Sequence, residues 1–179
     1  MKSISHFFFL FLLLSCNPSS TDSTADSENG DELNSPPPTQ VTNPIDPIDP
    51  IERDEMTDDF LSLVNNHRKK KGLRELRLDT SMNEIALKHS QDMASAKVRF
   101  GHDGFSTRCS LAREALGGGN LCLENVAWGQ KNSEEVFNAW INSSGHRKNI
   151  EHSRATHMGL GYAKNSKGVY YWTQLFLER

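Results

Sequence analysis

The sequence predicts an α+β domain over residues 56–179, placed behind an export leader and an unfolded spacer. Three observations lead there. Helix-period apolar patterns fill the first half of that region, short aromatic and β-branched runs fill its end, and residues 1–55 hold nothing that could build a core. The 124 residues of 56–179 are enough for one ordinary packed domain.

The leader is legible first. Lys2 precedes an unbroken apolar run over 7–14, the layout of a secretory signal peptide. Eight apolar residues are too few to cross a bilayer, which takes about 20. Leu13-Leu14-Ser15-Cys16 follows at once and resembles the bacterial lipoprotein box, so residues 1–15 are expected to be removed and Cys16 to carry acyl chains. The expected partner of Cys16 is therefore a membrane, and the expected address is the cell envelope. Asn17 beside the anchor favours the outer membrane or cell surface over the inner membrane.

Residues 16–55 read as a disordered tether. They include Pro36-Pro37-Pro38 and the near-repeat Pro44-Ile45-Asp46-Pro47-Ile48-Asp49-Pro50-Ile51, and their ten acids face one base, Arg53. Proline stiffness and charge repulsion both extend such a chain, to about 100 Å at roughly 3.1 Å per residue. The tether also hides the charge of the domain. The whole chain carries −3, but 56–179 holds 18 basic and 13 acidic residues, or +5. That surplus is mild and has no basic stripe interleaved with aromatics, which argues against a nucleic-acid partner.

Within the domain, Thr57 with Asp58 and Asp59 starts a helix over 57–70 that Gly72 stops. The run Arg68-Lys69-Lys70-Lys71 reads as its solvated, dipole-complementing end. Asp79 or Ser81 caps a second helix with Met82, Ile85, Ala86, His89 and Met93 on one face, where His89 reads as a satisfied core histidine. Ser133 with Glu134 and Glu135 opens a third helix, with Val136, Phe137, Trp140 and Ile141 as its stripe. Strands follow at 158–163 and 169–176, joined by the hairpin signal Asn165-Ser166-Lys167-Gly168, with a further strand at 123–128. With Cys16 given to the anchor, Cys109 and Cys122 are left as an even pair in an oxidising compartment and are expected to form a disulfide.

Polar groups concentrate at Phe100-Gly101-His102-Asp103-Gly104, at Leu123-Glu124-Asn125-Val126-Ala127, and at Ser143-Ser144-Gly145-His146-Arg147-Lys148-Asn149-Ile150. Two His and a Glu brought together make a divalent-metal site or an acid/base set, or else only hydrogen-bond their loops together. Their long separations do not choose among these. His152 and His157 read as surface or rim groups.

The ordered set of Asn65-x-x-Arg68, His102 after Phe100, Glu124-Asn125-Val126-Ala127, Trp140-x-x-Ser143, Gly145-His146-Arg147-x-Asn149-Ile150, Gly159-x-Gly161-Tyr162 and Tyr171-Trp172-Thr173-Gln174 resembles the CAP superfamily over 57–177. That superfamily includes cysteine-rich secretory proteins, insect venom antigens, plant pathogenesis-related proteins and bacterial exported proteins. The resemblance implies a three-layer α-β-α sandwich with a mainly antiparallel central sheet and a cleft above it. It implies that His102, Glu124 and His146 are three members of a two-His, two-Glu tetrad holding a divalent cation such as zinc. Ser143 stands where the second Glu of the eukaryotic branch would be, and Ser143, Asn125 and Asp103 are expected on the cleft rim. The implied function is a binding module for a lipid, sterol or envelope glycan. The alternatives are a metal-assisted hydrolase acting through His102, Glu124 and His146, and a structural protein of the envelope.

Overall fold

Asp54 opens the part of the chain that this computed structural model describes, residues 54–179. The leader, Cys16 and nearly all of the expected tether lie outside the described residues. The last two tether residues do not behave as spacer. Asp54 Oδ1 accepts from the Met56 amide at 3.0 Å and so caps helix α1 (Glu55–Lys70), whose first turn carries Glu55 and Asp58. Acids placed there satisfy orphan amides and complement the helix dipole, so Asp54 and Glu55 are part of the first helix and its cap.

Helix α1 buries Phe60 and Val64 and ends in a way the charge pattern did not foretell. Lys69, Lys70 and Lys71 are exposed, but Arg68 is fully buried. Its Nε donates to the Arg74 carbonyl at 2.8 Å, Nη1 to Ile150 at 2.6 Å and His152 at 3.0 Å, and Nη2 to Ala155 at 3.3 Å. Arg68 is thus a strut between chain segments and not part of a solvated helix end. Asn65, one turn earlier, donates to the Leu76 carbonyl at 3.0 Å and accepts from the Leu76 amide at 2.8 Å. This amide imitates a strand partner and delivers the chain into the short strand β1 (Arg77–Leu78).

Helix α2 (Thr80–Ala94) starts where Asp79 accepts from the Met82 amide at 3.0 Å. After it comes a helix with no counterpart in the expectations, α3 (Phe105–Leu116), whose buried face is Arg108, Cys109, Ala112 and Leu116. Strand β2 (Cys122–Trp128), helix α4 (Ser133–Asn142), the short helix α5 (Ser144–Ile150), and strands β3 (His157–Lys164) and β4 (Tyr170–Leu177) complete the order. Asn132 caps α4 by accepting from the Glu135 amide at 2.8 Å. The β3–β4 turn is the expected hairpin, with Gly168 at φ +76° supplying the left-handed residue.

The sheet order is β1-β3-β4-β2. β3 pairs antiparallel with β4, and β4 with β2, while β1 joins β3 in parallel, so the sheet is mixed and mainly antiparallel. Alternation along β4 divides the core. Trp172 and Phe176 pack with Phe60, Val64, Val136, Trp140 and Ile150 under α1, α4 and α5. Leu175 and Leu177 pack with Met82, Ala86, Ala112 and Leu116 under α2 and α3. The result is the three-layer α-β-α arrangement. Trp140, read as packing, is fully buried and donates Nε1–H to the Val126 carbonyl at 3.3 Å.

Helix α2 lies unusually close to the sheet because β3 presents glycines to it. A Cβ on Gly161 would sit 2.0 Å from the Leu87 backbone nitrogen, and one on Gly159 would sit 2.3 Å from the Met82 carbonyl carbon. The expected bridge is present. Cys109 of α3 and Cys122 of β2 are joined with their Cα atoms 5.9 Å apart. Reduction is expected to lower stability by about 2–4 kcal/mol. Thermal melts with and without reductant test this, and coincident melts would show that the bridge carries no stability.

Candidate functional site

Glu124 is the third residue of β2, and its side chain is 1% exposed, yet its carboxylate is fully answered. Arg108, in the first turns of α3, donates from Nε to Oε2 at 2.6 Å and from Nη2 to Oε1 at 2.8 Å. The fork grips both oxygens, which is the charge-assisted geometry that fixes a carboxylate in place. The same guanidinium donates from Nη1 to the Asp103 carbonyl at 2.8 Å, tying the 102–104 loop to the pair. Gly104 ends that loop at φ +77°, and a Cβ there would meet Arg108 Nη1 at 3.3 Å.

His102 completes the arrangement from the open side. Its Nδ1 lies 2.8 Å from Glu124 Oε1, and its side chain is 53% exposed. A carboxylate only accepts, so Nδ1 carries the hydrogen of this bond, which fixes the tautomer in which a neutral ring turns its lone pair, on Nε2, away from Glu124. His146, on α5, is held through its main chain. Asn125 donates to the His146 carbonyl at 3.2 Å and lies 3.2 Å from Gln174 Oε1, while Asn149 donates to Asn125 Oδ1 at 2.9 Å and to the Glu124 carbonyl at 3.1 Å. This amide web locks α5 against β2. Burial lowers the His146 pKa, and His102 lowers it further to a lesser degree, both favouring the neutral ring.

A pattern for the "CAP: Cysteine-rich secretory protein family" matches residues 61–176. The chain belongs to the CAP family. The match runs from within α1 to within β4 and so takes in part or all of every helix and strand. Among similar proteins, the uncharacterized protein YkwD of Bacillus subtilis is 37% identical over 121 residues, covering 66% of this chain and 46% of YkwD. The CAP chain therefore aligns with less than half of that relative's length. An extracellular protein of Bacillus anthracis containing an SCP domain superposes with a TM-score of 0.57 at 27% identity, over 73% of this chain and 45% of that one. An outer surface protein of Borrelia burgdorferi superposes with a TM-score of 0.60 at 22% identity, over 72% of this chain and 96% of that one, a likeness of fold.

Within this CAP domain the expected site residues take different parts. His102 and Glu124 are in direct contact, while His146 is tied to β2 through its carbonyl, which accepts from Asn125, and its ring packs edge-on against Trp140. Asn125 was expected on the rim, but it is fully buried beneath the site. Asp103 is exposed on the loop and contributes its carbonyl to Arg108. Ser143 stands half-buried at the junction of α4 and α5, where its hydroxyl makes no capping bond. His89 is buried, and its Nε2 is 2.9 Å from the Gly101 carbonyl, the satisfied core role expected of it. His152 lends its carbonyl to Arg68, and His157 Nδ1 lies 2.9 Å from Thr156 Oγ1. Arg108 escaped the reading of the sequence. A signal for it existed, because a Cys109–Cys122 bridge puts the residue before Cys109 close to Glu124, which shares the Cys122 face of β2.

Proposed function

We propose that this chain is an exported, membrane-tethered CAP module whose cleft binds a divalent cation through the imidazoles of His102 and His146. Export is supported by the leader and by Cys16, and by the surface and extracellular proteins among its structural likenesses. The observation that carries the binding reading is the hydrogen bond from His102 Nδ1 to a clamped Glu124.

The donor chemistry shapes the proposal. Both Glu124 oxygens are engaged, and among the described residues no group of three His, Cys, Asp or Glu side chains is arranged to hold a metal ion. The reading that this leaves is a two-imidazole site with the carboxylate one step behind. In such sites the carboxylate holds the ring and its tautomer so that the opposite nitrogen faces the cation. His146, biased toward its neutral form, is ready to donate as well. A cation held there would supply Lewis-acid attraction for a ligand oxygen. The chain itself orients the two rings, keeps Glu124 from drifting, and offers Phe100, two residues from His102 and 46% exposed, as an apolar face beside the polar groups. That mixture suits a hydroxyl-rich envelope glycan better than a bare acyl chain. A second reading, metal-assisted hydrolysis with His146 as general base, draws on the burial that favours its neutral ring and would appear as turnover.

Calorimetric titration of the purified chain with zinc tests the site. One saturable event is expected, weakened at least about tenfold in His102→Ala and in His146→Ala. No binding to the parent chain, or equal binding by both variants, would end this reading.

A further inference from the structure

We propose that the notch beside β1 is a docking site for an extended, basic peptide, which would add to β3 as a strand and seat one apolar side chain between α1 and α2. This site is remote in sequence from His102, Glu124 and His146 and stands independently of them.

The notch exists because β1 is so short. It pairs with β3 only at Arg77↔His157 and Leu78↔Met158, after which the chain turns away at Asp79 to begin α2. β3 continues to Lys164, and from Gly159 onward no strand lies on that side among the described residues. Which main-chain groups face the open side follows from two bonds. The Met158 carbonyl accepts from Asp79 N at 3.0 Å, and Leu160 N donates to Asn83 Oδ1 at 2.9 Å. Even-numbered residues of β3 therefore turn their amides and carbonyls outward. The two-residue period puts the Leu160 carbonyl and both main-chain groups of Tyr162 on the same edge. Asn83 already imitates one bond of the missing strand.

Against this edge lies a cavity of about 280 Å³. Leu78, Leu87, Leu160 and Tyr162 form its apolar wall, and Asp54 and Glu84 are its charged members, with no basic side chain among the described residues that line it. Its size suits one large side chain and falls just below the usual range for small-ligand pockets, about 300–1,000 Å³. Asp54 is spent on capping α1, whereas Glu84 makes no ion pair among the described residues. An open strand edge calls for a polypeptide, because only a main chain offers donors and acceptors at the matching repeat. The two acids call for a Lys or Arg next to the seated side chain. They also oppose pairing of two copies edge to edge, which would bring like charges together.

The test uses the full chain and a labelled hexapeptide in which Val and Thr alternate between two terminal lysines, with fluorescence anisotropy as the readout. Saturable binding is expected. N-methylating the peptide amides that face β3 is expected to weaken it about tenfold. Glu84→Lys should weaken the lysine peptide about threefold and strengthen its glutamate counterpart. Leu87→Arg, on a partly exposed helix face, should abolish binding while the thermal melt stays that of the parent. Absence of binding overturns the proposal. So does equal binding of the N-methylated peptide, which would make the notch a pocket for a side chain alone. Self-association relieved by Leu87→Arg would make the occupant a second copy. Binding seen only after removal of residues 36–53 would make it the chain's own preceding segment.

Discussion

Replacing Gly161 by alanine is expected to lower the melting temperature by about 10–15 °C, the equivalent of roughly 3 kcal/mol in a domain of this size. The added carbon would arrive 2.0 Å from Leu87 N, 2.4 Å from the Ala86 carbonyl carbon and 2.4 Å from Leu87 Cα. All three are helix backbone, so no side chain can swing aside. The helix must lift from the sheet, which opens the seam holding Met82 and Ala86, both without exposure to solvent. It also strains the Ser90 hydroxyl, which lies 2.9 Å from the Gly161 carbonyl and 2.8 Å from Thr173 Oγ1. Circular dichroism melts of the two proteins decide the matter. A shift under about 2 °C would mean that α2 is not seated as described.

Arg68→Met should cost about 3–5 kcal/mol, measured as a loss in urea-unfolding free energy. The volume is nearly kept, so the loss isolates the four carbonyls of Arg74, Ile150, His152 and Ala155 that the guanidinium answers. Burial pulls the Arg68 pKa down, yet a guanidinium stays charged at any pH a protein survives. Among the described residues no carboxylate pairs with it, and converging carbonyl dipoles do that work. Arg68→Lys should recover little, because an ammonium on a single stem cannot reach acceptors spread around a planar fork. Stability equal to the parent's in the Met variant would refute the strut.

Much of the fold was legible because its signals are local. Asp79 announces α2 by a side chain that reaches the third residue along, and Asn165 to Gly168 announces a hairpin by a turn that needs a left-handed residue. Helix α3 went unseen because its buried face is Arg108, Cys109, Ala112 and Leu116, which does not look apolar until Glu124 and Cys122 are placed opposite. Strand β1 is two residues long and exists only because Asn65 and β3 hold it. Arg68 looked like the first of four cations on a wet helix end, since nothing near it in sequence shows the carbonyls that await it. The site was half legible for a similar reason. His102, Glu124 and His146 were singled out as a set, but the contact between His102 and Glu124 depends on Arg108, whose part appears only when α3 is folded. Asn125 sits beside Glu124 in sequence yet points to the opposite face of a pleated strand, so neighbours one residue apart ended on the cleft side and in the interior.

The Arg68 strut also sets an order of events. Three of its acceptors lie 82, 84 and 87 residues further along the chain. While the chain is being made, α1 is complete long before those carbonyls exist, so its last turn must stay in water until nearly all the domain has followed. A product cut short before Ala155 would keep a cation with nowhere to go, and its α1 could not close onto the rest. Synthesis through Ala155 is thereby a condition for seating the end of α1, which leaves shorter products with an undocked first helix open to proteolysis.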